Sequence, residues 1–339
     1  MTSDGPPHSR EWRDGELVGE GFGLDGLAER LSDPDAVLWL DVGASDADGL
    51  AAVARALGLD RLAVEDAASR HERTKLDRYH DYVFLNVYAP ALRDDGRLAF
   101  HEVSVFVTPQ ALVTVRQDDR FDLRALLRRW DDDPDVEHDR GAIAEHEGGT
   151  LALLLYGLLD LIVDQQLDIV GTLDEQTDEL EELIFETPSS AAGRDVQERS
   201  FRLRKNLARL RRVALPMREV LNTLLRRDVR LVAEPLLPYY QDVYDHALRV
   251  AEETESLRDL VADLLDTRIA LQGNRMNEVM KQVTSWAAII AVPTAVTGFY
   301  GQNVHFPGEH TVWGFVTSTS LMVLCVVVLY RVFKQRDWL

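Results

Sequence analysis

The chain has 339 residues, enough for two or three structural units, and its formal net charge is −21. This acidic balance argues against a nucleic-acid partner, because a phosphate footprint requires clustered Lys and Arg. Cys325 is the only cysteine, which excludes a disulfide framework and a cysteine-based zinc site.

The N-terminal sequence MTSDGPPHSREWRDGE contains no apolar core. We therefore expect no secretory signal, and we expect residues 1–19 to form a disordered lead-in. The sequence that follows predicts a compact α/β unit. Its predicted elements are a buried strand at 36–42, a helix at 46–58 with an Asp start and a Gly stop, a strand at 82–90 and a hairpin at 101–117 that turns at Thr108.

From Gly149 onward the pattern is helical. Long helices are predicted over Leu151–Glu186 and Arg194–Arg226, followed by a stretch from Tyr239 to Pro293 that contains no other Pro and only one Gly. A helix of that length would extend on the order of 80 Å and would continue into a bilayer. Such a helix needs partners to pack on, so we expect an oligomer.

Two uncharged runs, Gln282–Gly308 and Thr311–Tyr330, lie near the C-terminus. Since a bilayer core takes roughly 20 apolar residues as a helix, these runs predict two membrane spans; the alternative is a buried helical hairpin. Basic residues precede the first span and follow the second, and the loop between them contains no Lys or Arg. By the positive-inside rule, both termini are predicted to be cytoplasmic, with a short external loop.

The first span carries one helical stripe of mostly small and polar residues. Such a stripe suits either close helix packing or the wall of a water-filled pore. Polar side chains in lipid need a partner or water, so the Asn and Thr residues favour the pore. The stripe consists of Asn277, Met280, Thr284, Ala287, Ala291, Thr294 and Gly298.

These features resemble the CorA family of divalent-cation channels, also called the two-TM GxN family. The resemblance covers nearly the whole chain and is strongest at 241–259, at 258–284 and in TGFYGQN at the end of the Pro-containing first span. The family signature Tyr-Gly-Met-Asn appears here as Tyr300-Gly301-Gln302-Asn303. The basic C-terminal tail RVFKQRDWL is also similar to the family's ending.

The resemblance implies a CorA-like homopentameric funnel with an α/β N-terminal cytoplasmic domain, long stalk helices and two C-terminal transmembrane helices. The corresponding segments are 1–19 (lead-in), 20–148 (α/β domain), 149–281 (stalk), 282–302 (pore-lining first span), 303–310 (external loop), 311–333 (second span) and 334–339 (basic tail).

The resemblance to the CorA family also implies a role for each part of the pore. Tyr300, Gly301, Gln302 and Asn303 would form the selectivity filter, with Asn303 as a ring at the outer mouth. Side-chain carbonyls can hydrogen-bond the waters of Mg²⁺, which dehydrates reluctantly. Met280 and Val283 would form an apolar constriction near the cytoplasmic end, and Asn277 a second amide ring.

Members of the family are closed by cytoplasmic Mg²⁺ bound between subunits. The matching positions are Asp66 and Asp242 for one site, with Glu65 and Asp160 for a second site nearby. Each of these residues could instead be an ordinary surface acid or helix cap. An ion that binds the closed state better stabilises that state by the difference in affinity.

Gln302 in place of the family Met is the main departure from the signature. His305, Glu309 and His310 share the external loop, and imidazole suits zinc, nickel and cobalt better than magnesium. Glu309 could attract cations to the mouth. The predicted function is therefore an Mg²⁺ channel of the cell membrane that also passes Co²⁺ or Ni²⁺, with a Zn²⁺ transporter on the same scaffold as the alternative.

A third interpretation is a membrane-anchored sensor or enzyme. The sequence contains no phosphate-binding Gly loop, no HExxH and no GxSxG motif, so we expect neither an enzyme nor an organic cofactor. The histidines of the cytoplasmic part, His246 among them, show no ligand spacing. The polar stripe on the first span also argues against a span that serves only as an anchor.

Overall fold

A computed structural model gives the architecture of the chain. It describes residues 8–70, 73–132, 143–146, 148–186, 190–226, 231–302 and 311–339. The chain folds as two units, Met1–Ala262 and Asp263–Leu339.

The first unit is built on one seven-stranded sheet. Its strands are β1 (His8–Arg13), β2 (Glu16–Glu20), β3 (Ala36–Gly43), β4 (Lys75–Arg78), β5 (Val83–Leu92), β6 (Leu98–Val107) and β7 (Ala111–Arg116). They follow the order β2-β1-β3-β7-β6-β5-β4. β3 and β7 are parallel, whereas the other neighbouring strands are antiparallel.

The central strands form where the sequence predicts them. The apolar run at 36–42 is β3, and the hairpin predicted at 101–117 is β6 and β7. Its turn is closed at Thr108, whose side-chain oxygen accepts a hydrogen bond from the amide of Ala111 at 2.9 Å. Along β5 and β6, successive buried side chains point alternately into the core on one face of the sheet and into the core on the other. This pattern is expected of a sheet that is covered on both faces.

The prediction of a disordered lead-in over residues 1–19 is wrong from His8 onward, since β1 and β2 form a hairpin there. Asp14 and Gly15 make its turn, with φ of 52° and 79°. A two-residue turn with positive φ at both positions matches the twist of the paired strands, and Asp-Gly is one of its preferred sequences. β1 then pairs with β3 and becomes part of the sheet.

Helices cover both faces of the sheet. They are α1 (Leu27–Arg30), α2 (Ala47–Leu57), α3 (Arg61–Ala68), α4 (Leu123–Asp132), α5 (Gly149–Glu186), α6 (Ser190–Leu224) and α7 (Leu237–Tyr300). One core packs α2 and α3 against residues such as Phe84 and Phe106. The other packs α4, α5 and the start of α7 against residues such as Leu85 and Val105.

The second unit contains the end of α7 and α8 (Val312–Gln335). The helical segments Glu234–Tyr300 and Val312–Gln335 are long and apolar enough to cross a bilayer. Only 11% and 6% of their most apolar windows are buried within the chain. Apolar helices of this length that are left exposed by their own chain are typical of segments covered by lipid or by further subunits.

Candidate ion pathway and metal centre

The stripe predicted on the first span is exposed in the single chain. Its members are all exposed, namely Asn277, Met280, Thr284, Ala287, Ala291, Thr294 and Gly298. Val283 of the predicted constriction is exposed as well. Ser285 and Ile289, by contrast, are 0% and 7% exposed. By the helical period they lie on the opposite side of α7 from the stripe. One side of this helix is therefore packed within the chain, and the side with the stripe is available to water or to another subunit.

The hydroxyl groups at the outer end of the span are satisfied within the helix. Thr294 Oγ1 donates to the carbonyl of Ile290 at 3.1 Å, and Thr297 Oγ1 donates to the carbonyl of Pro293 at 2.8 Å. The second bond lies next to the helical Pro293, which has no N–H to donate. These two threonines consequently need no partner from outside the helix.

α7 ends in the signature sequence. Tyr300 is its last residue, and the amides of Gly301 and Gln302 donate to the carbonyls of Thr297 and Phe299 at 2.9 and 3.3 Å. A Cβ on Gly301 would lie 3.0 Å from the Thr297 oxygen, so a larger residue would crowd the turn. Asn303, His305, Glu309 and His310 lie outside the described residues.

Two of the predicted regulatory acids lie on α3 in the first unit. Glu65 is exposed, and Asp66 accepts a hydrogen bond from Lys75 Nζ at 2.6 Å. Lys75 also pairs with Asp77 at 3.0 Å. Burial lowers the pKa of Lys75, but the hydrogen bonds and charges of the two aspartates outweigh it, so that this pKa is raised. An ion bound at Asp66 would have to share this carboxylate with a lysine that stays charged.

Of the other two predicted acids, Asp160 belongs to a cluster between α4, α5 and α7, and Asp242 lies beside it. Asp160 and Asp164 are one turn apart on α5, and an oxygen of each lies 2.6 Å from Arg129 Nη2 on α4. Asp164 accepts a hydrogen bond from this nitrogen, and Asp160 forms an ion pair with it. His246 on α7 completes the cluster, since its ligand atom and those of Asp160 and Asp164 all lie within 4.8 Å of one another. Asp242, one turn before His246, places Oδ2 3.9 Å from His246 Nδ1.

Neighbouring contacts hold these three helices together. Trp130, next to Arg129, donates from its indole nitrogen to the carbonyl of Leu154 at 2.9 Å. Gly157 permits this approach, because a Cβ there would lie 2.8 Å from the Trp130 ring. Tyr240 is fully buried and donates its hydroxyl to the carbonyl of Ala152 at 2.8 Å. The cluster is thus mounted on rigid, packed elements.

The donor atoms fit a divalent cation. His246 Nδ1 is buried without a hydrogen-bond partner in the part of the chain that the structure describes, 4.0 Å from Asp164 Oδ1. That distance is too long for a hydrogen bond, but an ion about 2.1 Å from each atom would bridge it. Asp160 and Asp164 supply the carboxylates that Mg²⁺ prefers, and the imidazole suits Co²⁺ or Zn²⁺. Arg129 is a positive charge that such an ion must displace or tolerate.

Burial raises the pKa of Asp164, and the nearby charges of Arg129 and His246 lower it less than burial raises it. A proton therefore competes for this carboxylate at a higher pH than at an ordinary aspartate. Metal binding at the cluster requires the ionised form.

Asp164 and His246 are not predicted as metal ligands from the sequence, whereas the structure places their ligand atoms beside that of Asp160. The available signal was a pair of one-turn spacings on two different helices, Asp160 with Asp164 and Asp242 with His246. A spacing of four places two side chains on one helix face, but only the packing of α5 against α7 brings the two pairs together.

The chain is similar to several known proteins. Residues 34–335 match the family model described as CorA-like Mg²⁺ transporter protein. The cobalt/magnesium transport protein CorA of Thermotoga maritima is 30% identical over 310 residues, which cover 89% of this chain and 83% of that protein. The putative metal ion transporter YfjQ of Bacillus subtilis is 29% identical over 313 residues, which cover 91% and 92%. The complete structure of the CorA magnesium transporter from Methanocaldococcus jannaschii matches with a TM-score of 0.76 at 20% identity, over 100% of both chains.

Proposed function

This chain belongs to the CorA-like family of Mg²⁺ transporter proteins, and on that premise we propose that it conducts Mg²⁺ across the cell membrane into the cytoplasm. Co²⁺ and Ni²⁺ are proposed as further permeant ions. The observation that carries the proposal is the exposed stripe on α7, which ends in the family's signature turn. Both termini are proposed to be cytoplasmic, on the basis of the flanking basic residues.

A homopentamer would turn the exposed stripe into a pore. In such an assembly the stripes of five copies face a common axis, and the opposite side of α7, with the buried Ser285 and Ile289, faces its own chain. Ala287, Ala291 and Gly298 leave room for water along the axis. Met280 and Val283, 55% and 59% exposed, are the bulky apolar members of this side and form the proposed constriction. An apolar constriction closes by excluding water.

The filter is proposed to be Asn303, positioned by the turn at Tyr300, Gly301 and Gln302. A ring of amide oxygens can accept hydrogen bonds from the waters of a hydrated Mg²⁺ without removing them. Amides also bind the ion more weakly than carboxylates would, so the ion can leave again. Glu309 is proposed to concentrate cations at the outer mouth.

Cytoplasmic Mg²⁺ is proposed to close the channel by binding between subunits. Asp66 and Glu65 on α3 would act with Asp242 and Asp160 of a neighbouring copy. Asp164 and His246 join this set, because their ligand atoms lie with that of Asp160. The ion, when bound, supplies positive charge that holds these carboxylates together; an ion that prefers the closed state stabilises it by that preference.

The test of the proposed pathway is Mg²⁺ uptake by proteoliposomes containing the full chain. Asn303→Ala is expected to abolish uptake or change its ion preference. Gln282→Ala is the matched control, since this exposed amide begins the span on a side away from the stripe. Uptake that is unchanged in Asn303→Ala would contradict the role of Asn303 as the filter, and the absence of uptake in the wild type would support the anchored-sensor interpretation instead.

A further inference from the structure

The first unit has an open cavity of about 270 Å³ that the transport function does not use. It lies over the sheet face of Tyr88 and Phe100, between the chain that leaves α3 and one side of α6. α2 and α3 cover the same sheet face at Phe84 and Phe106. The cavity begins where that cover ends, at Arg70.

Three guanidinium groups line the cavity. Arg209 is fixed in place, since it donates to the carbonyl of Leu98 and its guanidinium lies 5.6 Å from the Phe100 ring centroid. Arg212 follows one turn later on the same side of α6, and Arg70 stands opposite. Arg70 and Arg212 are exposed and form no ion pair within the described part of the chain. In a chain of net charge −21, two arginines without acidic partners are available to an anion.

The segment that carries Arg70 is held in position. Gln117 donates from Nε2 to the carbonyls of Ala67 and Ser69, at 2.9 and 2.6 Å. These bonds fix the backbone directly before Arg70. Asn206 does the same for α6, since it bonds the backbone of Leu98 and Gly96 at 3.0 and 2.9 Å. The arginines therefore approach the cavity from two fixed elements.

Two aromatic rings form the floor. Tyr88 and Phe100 meet edge to face, with centroids 6.3 Å apart and planes at 89°. The Arg209 guanidinium lies over one face of Phe100, and the remaining aromatic surface can accept a planar ring by stacking. A cavity with guanidinium groups on its walls and aromatic rings on its floor suits a ligand with two parts, an anionic group and a flat ring.

The two carboxylates in the wall are already engaged. Glu102 accepts from Asn86 Nδ2 at 2.9 Å, and Asp118 accepts from His101 Nδ1 at 3.0 Å. Three arginines and two carboxylates leave the lining with one net positive charge. Within the described residues, Arg70 and Arg212 form no ion pair, so their guanidinium groups can donate to phosphate oxygens.

We propose that this cavity is a nucleotide-binding site, in which Arg70 and Arg212 hold the phosphates and the base lies against Tyr88 and Phe100. The site is independent of the ion pathway and of the metal cluster, because it shares no residue with either.

The test is calorimetric titration of the detergent-solubilised full chain with ATP in the presence of EDTA, so that bound metal plays no part. We expect saturable binding. Arg70→Gln and Arg212→Gln are each expected to weaken it about tenfold, as the loss of a charge-assisted hydrogen bond predicts. Arg204→Gln, an exposed arginine on α6 outside the cavity, is the matched control and should bind as the wild type does.

Two further titrations separate the two halves of the ligand. Pyrophosphate and adenosine should each bind more weakly than ATP, and Phe100→Leu should weaken ATP but not pyrophosphate. Equal affinity for pyrophosphate and ATP, unaffected by Phe100→Leu, would overturn the nucleotide assignment. The absence of saturable ATP binding, or binding that is the same in both arginine variants, would overturn the site itself. Unchanged thermal unfolding temperatures would establish that the variants are folded.

Discussion

Replacing Arg129 with Gln should tighten divalent-cation binding at the cluster of Asp160, Asp164 and His246. Arg129 Nη2 lies 2.6 Å from one oxygen of each aspartate. An ion about 2.1 Å from the same oxygens would lie within about 5 Å of that nitrogen. The arginine therefore repels the ion at the same carboxylates that attract it.

The magnitude follows from Coulomb's law. A divalent ion and a single positive charge about 5 Å apart repel by about 1.7 kcal/mol even in bulk water, and by more at the lower effective dielectric of a protein. The side chains of Arg129 and Asp164 are 27% and 37% exposed, so the value for water is the cautious bound. Removing the arginine should then strengthen binding by at least about tenfold.

The assay is the thermal unfolding temperature of the full chain as a function of Mg²⁺ and of Co²⁺ concentration, at a pH where both aspartates are ionised. In Arg129→Gln the stabilisation should begin at metal concentrations at least about tenfold lower. Arg128→Gln, an exposed neighbour on α4, is the control, and Asp160→Asn should remove the effect. An affinity that is unchanged or weaker in Arg129→Gln would mean that the arginine positions the carboxylates and does not compete with the ion.

Met280→Gly should raise the Mg²⁺ leak into proteoliposomes severalfold at high cytoplasmic Mg²⁺, because it removes a bulky side chain from the proposed constriction. A leak equal to that of the wild type would contradict this. Asp164 has a raised folded-state pKa, so its contribution to stability is fully present below the ordinary carboxyl range and is lost as the pH rises through the raised pKa. In EDTA, Asp164→Asn should therefore become more stable relative to the wild type as the pH rises through the raised pKa of Asp164. A difference in stability that does not change with pH would contradict the raised pKa. Tyr240→Phe removes the buried bond to Ala152 and should cost about 1 kcal/mol, or about 2–4 °C in unfolding temperature; an unchanged melting curve would show that this bond adds no stability.

Local chemistry made much of the first unit predictable. The helix predicted at 46–58 is α2, where Asp46 caps the first turn and Gly58 ends the helix with φ of 65°. Both positions demand particular residues, so the sequence marks the ends of the helix directly. The apolar runs of β3 and β5 were equally clear, because they are buried on both faces.

The edges of the sheet were harder to predict. β1 and β2 are rich in charged residues. β1 is buried through its pairing with β3 rather than through its own hydrophobicity, and β2 stays mostly exposed at the edge of the sheet. The Asp14-Gly15 turn was the available signal, and the proline-containing sequence around His8 obscured it. β4, with the sequence KLDR, is an edge strand whose charges suit its place at the rim.

The candidate sites also differ in how far they can be predicted from the sequence. The stripe on α7 follows from helical periodicity alone, and its residues are exposed in the single chain. Their role as the lining of a pore stays a prediction. The cluster of Asp160, Asp164 and His246 depends on contacts between residues more than eighty positions apart, which periodicity does not report. The filter residue Asn303 lies outside the described residues, so its role stays a prediction.

We propose that this chain conducts Mg²⁺ and is closed by cytoplasmic Mg²⁺. The most direct measurement is uptake of Mg²⁺ and of Zn²⁺ by proteoliposomes of the purified protein, each with and without high Mg²⁺ on the cytoplasmic side, in the wild type and in Asp242→Ala. We predict Mg²⁺ uptake that cytoplasmic Mg²⁺ suppresses in the wild type and that Asp242→Ala restores. Uptake of Zn²⁺ alone, unaffected by Mg²⁺, would rule out an Mg²⁺ channel and would assign the chain to zinc transport.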